Sequence, residues 1–159
     1  MSVSKWFAWS LCVVMLLVQS CQPNVSAEAA EAEKVLRSFL EDLHAGRYDL
    51  AASRYAPEDD VLTGMNPDLE PGDMKTLLQR ACTQNGFMCL LPDDELNVVR
   101  SSQGEFVFSV GFILDDGTRF ERGPCCGEES VEPPQSAFDM CVRCDAGRCL
   151  VLDLPPYVP

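Results

Sequence analysis

Glu105-Phe106-Val107-Phe108-Ser109-Val110-Gly111-Phe112-Ile113-Leu114 is the stretch on which the fold turns. Its apolar residues recur at every second position, so Phe106, Phe108, Val110, Phe112 and Leu114 share one face of an extended strand. Asp115-Asp116-Gly117 then reads as a turn into a further strand, Thr118–Arg122. Upstream, Ser102-Gln103-Gly104 separates the central strand from Glu95–Ser101, and Phe87–Leu91 is another candidate. Downstream, residues 123–136 are a loop rich in Gly, Pro, Cys and Glu, followed by a hairpin of Ala137–Arg143 with Arg148–Leu154. Phe138, Met140 and Val142 share a face with Leu150, Leu152 and Leu154 if Cys144 opposes Arg148. That register needs a three-residue loop, Asp145-Ala146-Gly147, with the glycine left-handed.

Before Phe87 the period is helical. Val35, Leu36, Phe39, Leu40 and Leu43 mark an amphipathic helix over 27–45, stopped by Gly46. Asp49 is placed to cap a short second helix carrying Leu50, Ala51 and Tyr55, ended by Pro57. A third follows Pro71-Gly72 with Asp73 as its cap; Met74, Leu77, Leu78, Ala81 and Cys82 form the stripe and Gly86 closes it. Helices first and antiparallel strands after them indicate an α+β fold, with the helices packed on one sheet face.

The stretch Val35-Leu36-Arg37-Ser38-Phe39-Leu40-Glu41-Asp42-Leu43-His44-Ala45-Gly46-Arg47-Tyr48-Asp49-Leu50-Ala51-Ala52 resembles the opening of NTF2-like domains of the cystatin-like superfamily. Those domains begin with a helix ending in an Ala-Gly-Asp/Arg-Tyr-type turn into a second helix. The resemblance implies a curved antiparallel sheet wrapped around a long helix, a cone able to hold a ligand. Tyr55, Phe106, Phe108, Phe112 and Phe138 would then be candidates to line that pocket, although at period-two spacing the phenylalanines also read simply as core. Several NTF2-like families are isomerase or dehydratase enzymes with an Asp or His poised inside the cone. The apolar side of Phe106–Leu114 carries no ionisable group, which argues against that chemistry here. Residues 123–149 are not part of the common pattern.

The N-terminus has the parts of an export signal. Lys5 precedes a nearly unbroken apolar run from Trp6 to Val18. The run is shorter than the roughly 20 residues that span a bilayer, so it fits a cleaved signal peptide, residues 1–20. Val18-Gln19-Ser20-Cys21 resembles a bacterial lipobox: an aliphatic residue, a variable one, a small one, then cysteine. That resemblance implies a membrane anchor at Cys21, whose thiol takes a diacylglyceryl group alongside palmitate-type chains. Two or more chains together hold a protein stably on a membrane. Residues 21–27 become a lipidated tether and 28–159 the folded domain. The implied location is the cell envelope, on the cell membrane or outer membrane, facing the periplasm or exterior; Gln22 in place of aspartate favours the outer membrane. Both tryptophans, Trp6 and Trp9, leave with the signal.

The chain carries 25 acidic residues against 12 basic ones, a formal net charge of −13. Binding a phosphate backbone needs clustered Lys and Arg, and here they are scattered singly. Nucleic acid is therefore not an expected partner. The acidic groups Asp59-Asp60, Asp93-Asp94-Glu95, Asp115-Asp116 and Glu128-Glu129 sit in turn-like stretches and lack calcium-loop spacing. No glycine loop is built to cradle phosphate. His44, the single histidine, lies in the last turn of the first helix, where it complements the helix dipole; any histidine-dependent triad would have to use it.

Besides Cys12 in the signal and Cys21, seven cysteines remain: Cys82, Cys89, Cys125, Cys126, Cys141, Cys144 and Cys149. Outside the cytoplasm disulfides are the default, and an odd count leaves one thiol over. The Gly86 turn lets Cys82 approach Cys89. In the register above, Cys141 and Cys149 are diagonal neighbours on one face, and Cys125 or Cys126 would staple the preceding loop to Cys141, Cys144 or Cys149. Two alternatives use Cys141-Val142-Arg143-Cys144: a zinc site, though paired Cys-x-x-Cys spacing is absent, and a redox dithiol, though no helix N-terminus activates it. No cofactor is expected. The sequence thus points to a cell-envelope lipoprotein that binds a small apolar ligand or an envelope protein without catalysis. The alternatives are a pocket enzyme and a cysteine-based metal or redox site.

Overall fold

The structure, a computed structural model, describes residues 25–58, 61–102, 104–123 and 134–158. The expected signal peptide, Cys21, Cys125 and Cys126 lie outside the described residues. Helices α1 (Val25–His44), α2 (Tyr48–Ala52), α3 (Val61–Met65) and α4 (Met74–Thr83) precede strands β1 (Leu91–Ser102), β2 (Glu105–Ile113), β3 (Phe138–Asp145) and β4 (Arg148–Val151). The strands form one open antiparallel sheet in the order β1-β2-β3-β4. The chain is thus α+β, helices first.

α1 crosses the inner face of the sheet and touches all four strands. Ala32, Leu36, Phe39, Leu40 and Leu43, one stripe at helical spacing, are essentially inaccessible to solvent. They meet Phe106, Phe108, Val110 and Phe112 of β2, with Met140 and Val142 of β3. Each large apolar side chain so buried contributes about 1.5–3 kcal/mol. α4 begins as expected, with the Asp73 carboxylate accepting the Thr76 amide at 3.2 Å, and buries Leu77, Leu78 and Ala81.

Several expectations are corrected. α1 starts at Val25, so residues 25–27, expected in the tether, are helical. Asp49 does not cap α2; Arg47 stands at that position without a side-chain cap bond. The connection is secured instead by Asp42, whose buried carboxylate accepts from Arg47 Nε at 2.6 Å and Arg54 Nη1 at 2.5 Å. In place of the expected Phe87–Leu91 and Glu95–Ser101 strands there is one, β1, which begins only at Leu91. Phe87 bridges Tyr157 and the Met88 amide donates to the Pro156 carbonyl, so residues 87–90 are drawn to the C-terminal segment and away from the ladder. Thr118–Arg122 is joined only by the isolated bridges Ile113–Arg119 and Arg122–Gln135. α3, between Tyr55 and the Pro71-Gly72 turn, is an element the sequence reading lacks.

The β3–β4 register is also different. Asp145 opposes Arg148 and Cys144 opposes Cys149, so the loop is the two-residue Ala146-Gly147. Both residues have positive φ (48° and 81°), the paired left-handed geometry whose twist matches a hairpin. Shifting a register by one residue exchanges the faces of a strand. Cys149 and Val151 therefore face inward with Val142 and Cys144, and Leu150 faces outward.

Candidate functional site

Five residues were candidates to line an interior pocket, and the structure places all five in the packed core. Phe106, Phe108 and Phe112 are almost wholly enclosed, and Phe138 lies against Phe112 and Phe120 at ring separations of 5.9 Å. Tyr55 is buried and stacks on Phe39 at 5.5 Å. None of them lines the concavity described next.

That concavity is on the outer face of the β3–β4 hairpin, a groove of about 500 Å³. Alternation sends Arg143 and Asp145 of β3, and Arg148 and Leu150 of β4, to that side, with Leu152 just beyond. One wall is Ala56, Pro57 and Glu58. This wall is fixed because the chain at Tyr55 runs parallel to β4: the Val151 amide donates to the Arg54 carbonyl at 2.8 Å, and the Ala56 amide to the Val151 carbonyl at 2.9 Å. Arg143 spans the site, bonding Glu105 through Nε at 2.9 Å and also Glu58. Glu105 first and Glu58 second hold its guanidinium protonated even more firmly than usual. Its charge is therefore already balanced by the protein. Sequence reasoning missed Glu58, Arg143, Arg148, Leu150 and Leu152 as a group. The outward parity of the hairpin would have revealed four of them, had its loop been read as two residues.

Among the described residues the cysteines form two bridges. Cys82–Cys89 joins the end of α4 to the approach of β1, as the Gly86 turn suggested. Cys144–Cys149 links directly opposed residues across β3 and β4, not the loop to the hairpin. Antiparallel partners that exchange no backbone hydrogen bonds come closest together, which allows this pairing at a Cα separation of 4.0 Å. Cys141 is a free thiol. It faces outward, opposite in side to Cys149, so the expected diagonal neighbourhood does not form. Burial first, then the carboxylates of Asp153, Glu105 and Glu58, push its pKa up against the opposing pull of Arg143. Such a thiol is kept protonated and is a poor nucleophile.

His44 sits exposed at the end of α1 with Nδ1 at 3.2 Å from the Cys89 carbonyl, which it meets as an N–H donor. Asn66, nearly inaccessible, donates to the Leu62 carbonyl at 2.8 Å, and Arg80 holds Asp68 through two bonds of 2.7 and 2.8 Å. These contacts tie α3 to α4. Among the described residues no three His, Cys, Asp or Glu side chains are grouped to hold a metal ion, and no helix is long and apolar enough to cross a membrane. Set against family models, curated proteins and solved structures, the chain matches none.

Proposed function

We propose that this chain is an exported lipoprotein of the cell envelope, acylated at Cys21, whose NTF2-like domain binds a protein partner and does not catalyse a reaction. The observation that carries the reading is where the aromatic residues go. Tyr55, Phe106, Phe108, Phe112 and Phe138 fill the space between α1 and the sheet, while the groove beside β4 lies open on the outside. That arrangement favours a surface partner over a small apolar ligand held in an interior cone.

Further features support the reading. The helix-first open sheet with α1 across it is compatible with an NTF2-like plan. Disulfides persist in oxidising compartments, and the described residues hold Cys82–Cys89 and Cys144–Cys149. Cys144 is committed to Cys149, which removes the dithiol that a redox Cys-x-x-Cys would need. Asp42, the one buried carboxylate among the described residues, is engaged by two arginines and faces no cavity described above.

The test is to express the full chain in a bacterium fed an alkyne-bearing palmitate. Label should join the wild-type protein and be absent from Cys21→Ala. Non-reducing peptide mass spectrometry should recover Cys82–Cys89 and Cys144–Cys149 as linked peptides. An unlabelled protein with every thiol free would refute both anchoring and export.

A further inference from the structure

Arg148 stands out against the charge balance of the chain. Acidic residues outnumber basic ones 25 to 12, so carboxylates are plentiful. Arg37, Arg47, Arg54, Arg80, Arg100, Arg119 and Arg143 each pair with one. Arg122 bonds Gln135 and covers the Phe138 ring at 5.4 Å. Among the described arginines only Arg148 has no carboxylate, amide or aromatic partner, and it lines the groove. Asp145 opposes it in the hairpin and lines the same groove, yet the two form no ion pair.

We propose that the groove takes an extended peptide segment of a partner protein, with a carboxylate on Arg148, a backbone N–H on Asp145 and aliphatic side chains on Leu150 and Leu152. The planar fork of a guanidinium suits a carboxylate, which it grips through two parallel bonds. Arg143 is shared between Glu58 and Glu105 and offsets only part of their charge, so the positive charge open to that carboxylate is the one on Arg148. Asp145 is an exposed acceptor on the same groove, which can take a donor that a peptide backbone has and a fatty acid lacks. The Cys144–Cys149 bridge and the Ala56–Val151 bond hold floor and wall in place, which lowers the ordering cost of binding.

This inference rests on the proposed binding role, but the measurement does not depend on acylation at Cys21. The probe is a fluorescein-labelled hexapeptide alternating leucine and serine and ending in glutamate, titrated with the purified full chain and read by fluorescence anisotropy. Saturable binding is expected, weakened about tenfold by Arg148→Gln and by a probe with amide in place of both carboxylates. Leu150→Lys should abolish it, and Arg100→Gln on β1 should leave it unchanged. Three outcomes overturn the proposal: no binding at millimolar protein, binding indifferent to both Arg148→Gln and carboxylate removal, or displacement by octanoate as effective as by unlabelled peptide. Each leaves the palmitate result at Cys21 standing, so the two readings fail separately.

Discussion

Asp42→Ala should be the most damaging single change outside the apolar core. The carboxylate is 5% exposed and accepts from two guanidiniums, Arg47 and Arg54, while the Asp42 carbonyl takes the Arg47 amide at 2.8 Å. Those side-chain bonds fold the chain back from α1 into α2 and hold residues 54–56 for their pairing with β4. Charge-assisted hydrogen bonds contribute about 1.5–3 kcal/mol each, and breaking a fully buried pair costs about 3–5 kcal/mol. Here the arginine side chains are 50% and 31% exposed, so both regain water when the carboxylate goes. The loss should then sit below that range, at about 2–3 kcal/mol. Asp42→Asn keeps one acceptor oxygen and should cost about half as much. The assay is urea unfolding followed by far-ultraviolet circular dichroism, the mature protein having no tryptophan on the proposed processing. With urea slopes of about 1–3 kcal/mol per M, the Ala midpoint should fall by on the order of 1–2 M. A double-mutant cycle with Arg54→Ala should show coupling. A change below about 0.5 kcal/mol, the size of an ordinary surface substitution, or no coupling, would refute the clamp.

Gly104→Ala places a methyl group 2.7 Å from the Cys144 carbonyl oxygen at a φ of 76°, and should cost about 1–3 kcal/mol in thermal unfolding. Replacing Cys144 and Cys149 together by alanine opens a loop with a sequence separation of 5, worth about 2 kcal/mol by loop-closure entropy, and should lower the urea midpoint without loss of fold. The Cys141 thiol should alkylate with iodoacetamide more slowly than free cysteine at pH 8. Its rate should rise only at higher pH, because a raised pKa withholds the reactive thiolate; Asp153→Asn should speed it, and an unchanged rate would argue against the charge effect. By the same sign, the thiol favours the folded state below the ordinary cysteine range and loses that contribution as pH climbs through its raised value.

Where forces are local or periodic, the amino-acid order alone determined the outcome. The 3.6-residue stripe of Leu36, Phe39, Leu40 and Leu43 and the two-residue alternation of Phe106 to Phe112 each have one way to bury themselves, so helix, strand and their apposition were legible. Asp73 at the start of α4, and Cys82 with Cys89 across the Gly86 turn, are short-range and equally readable. The central strand the reading began from keeps its inner face, but that face is core, with Phe106, Phe108 and Phe112 sealed under α1.

Only the tertiary structure decided what depends on distant segments meeting. Asp42 finds Arg54 twelve positions later because the chain reverses at Gly46. The groove needs Glu58 to reach Arg143 across a separation of 85 residues. The β3–β4 parity hung on one loop residue: Ala146 enters the left-handed region despite its methyl group, and with that Leu150 turns outward and Cys144 meets Cys149. Burying Cys144, Cys149 and Val151 together on the α1 side outweighs the small cost of that one backbone conformation, and a balance of that kind is invisible until both strands are in place.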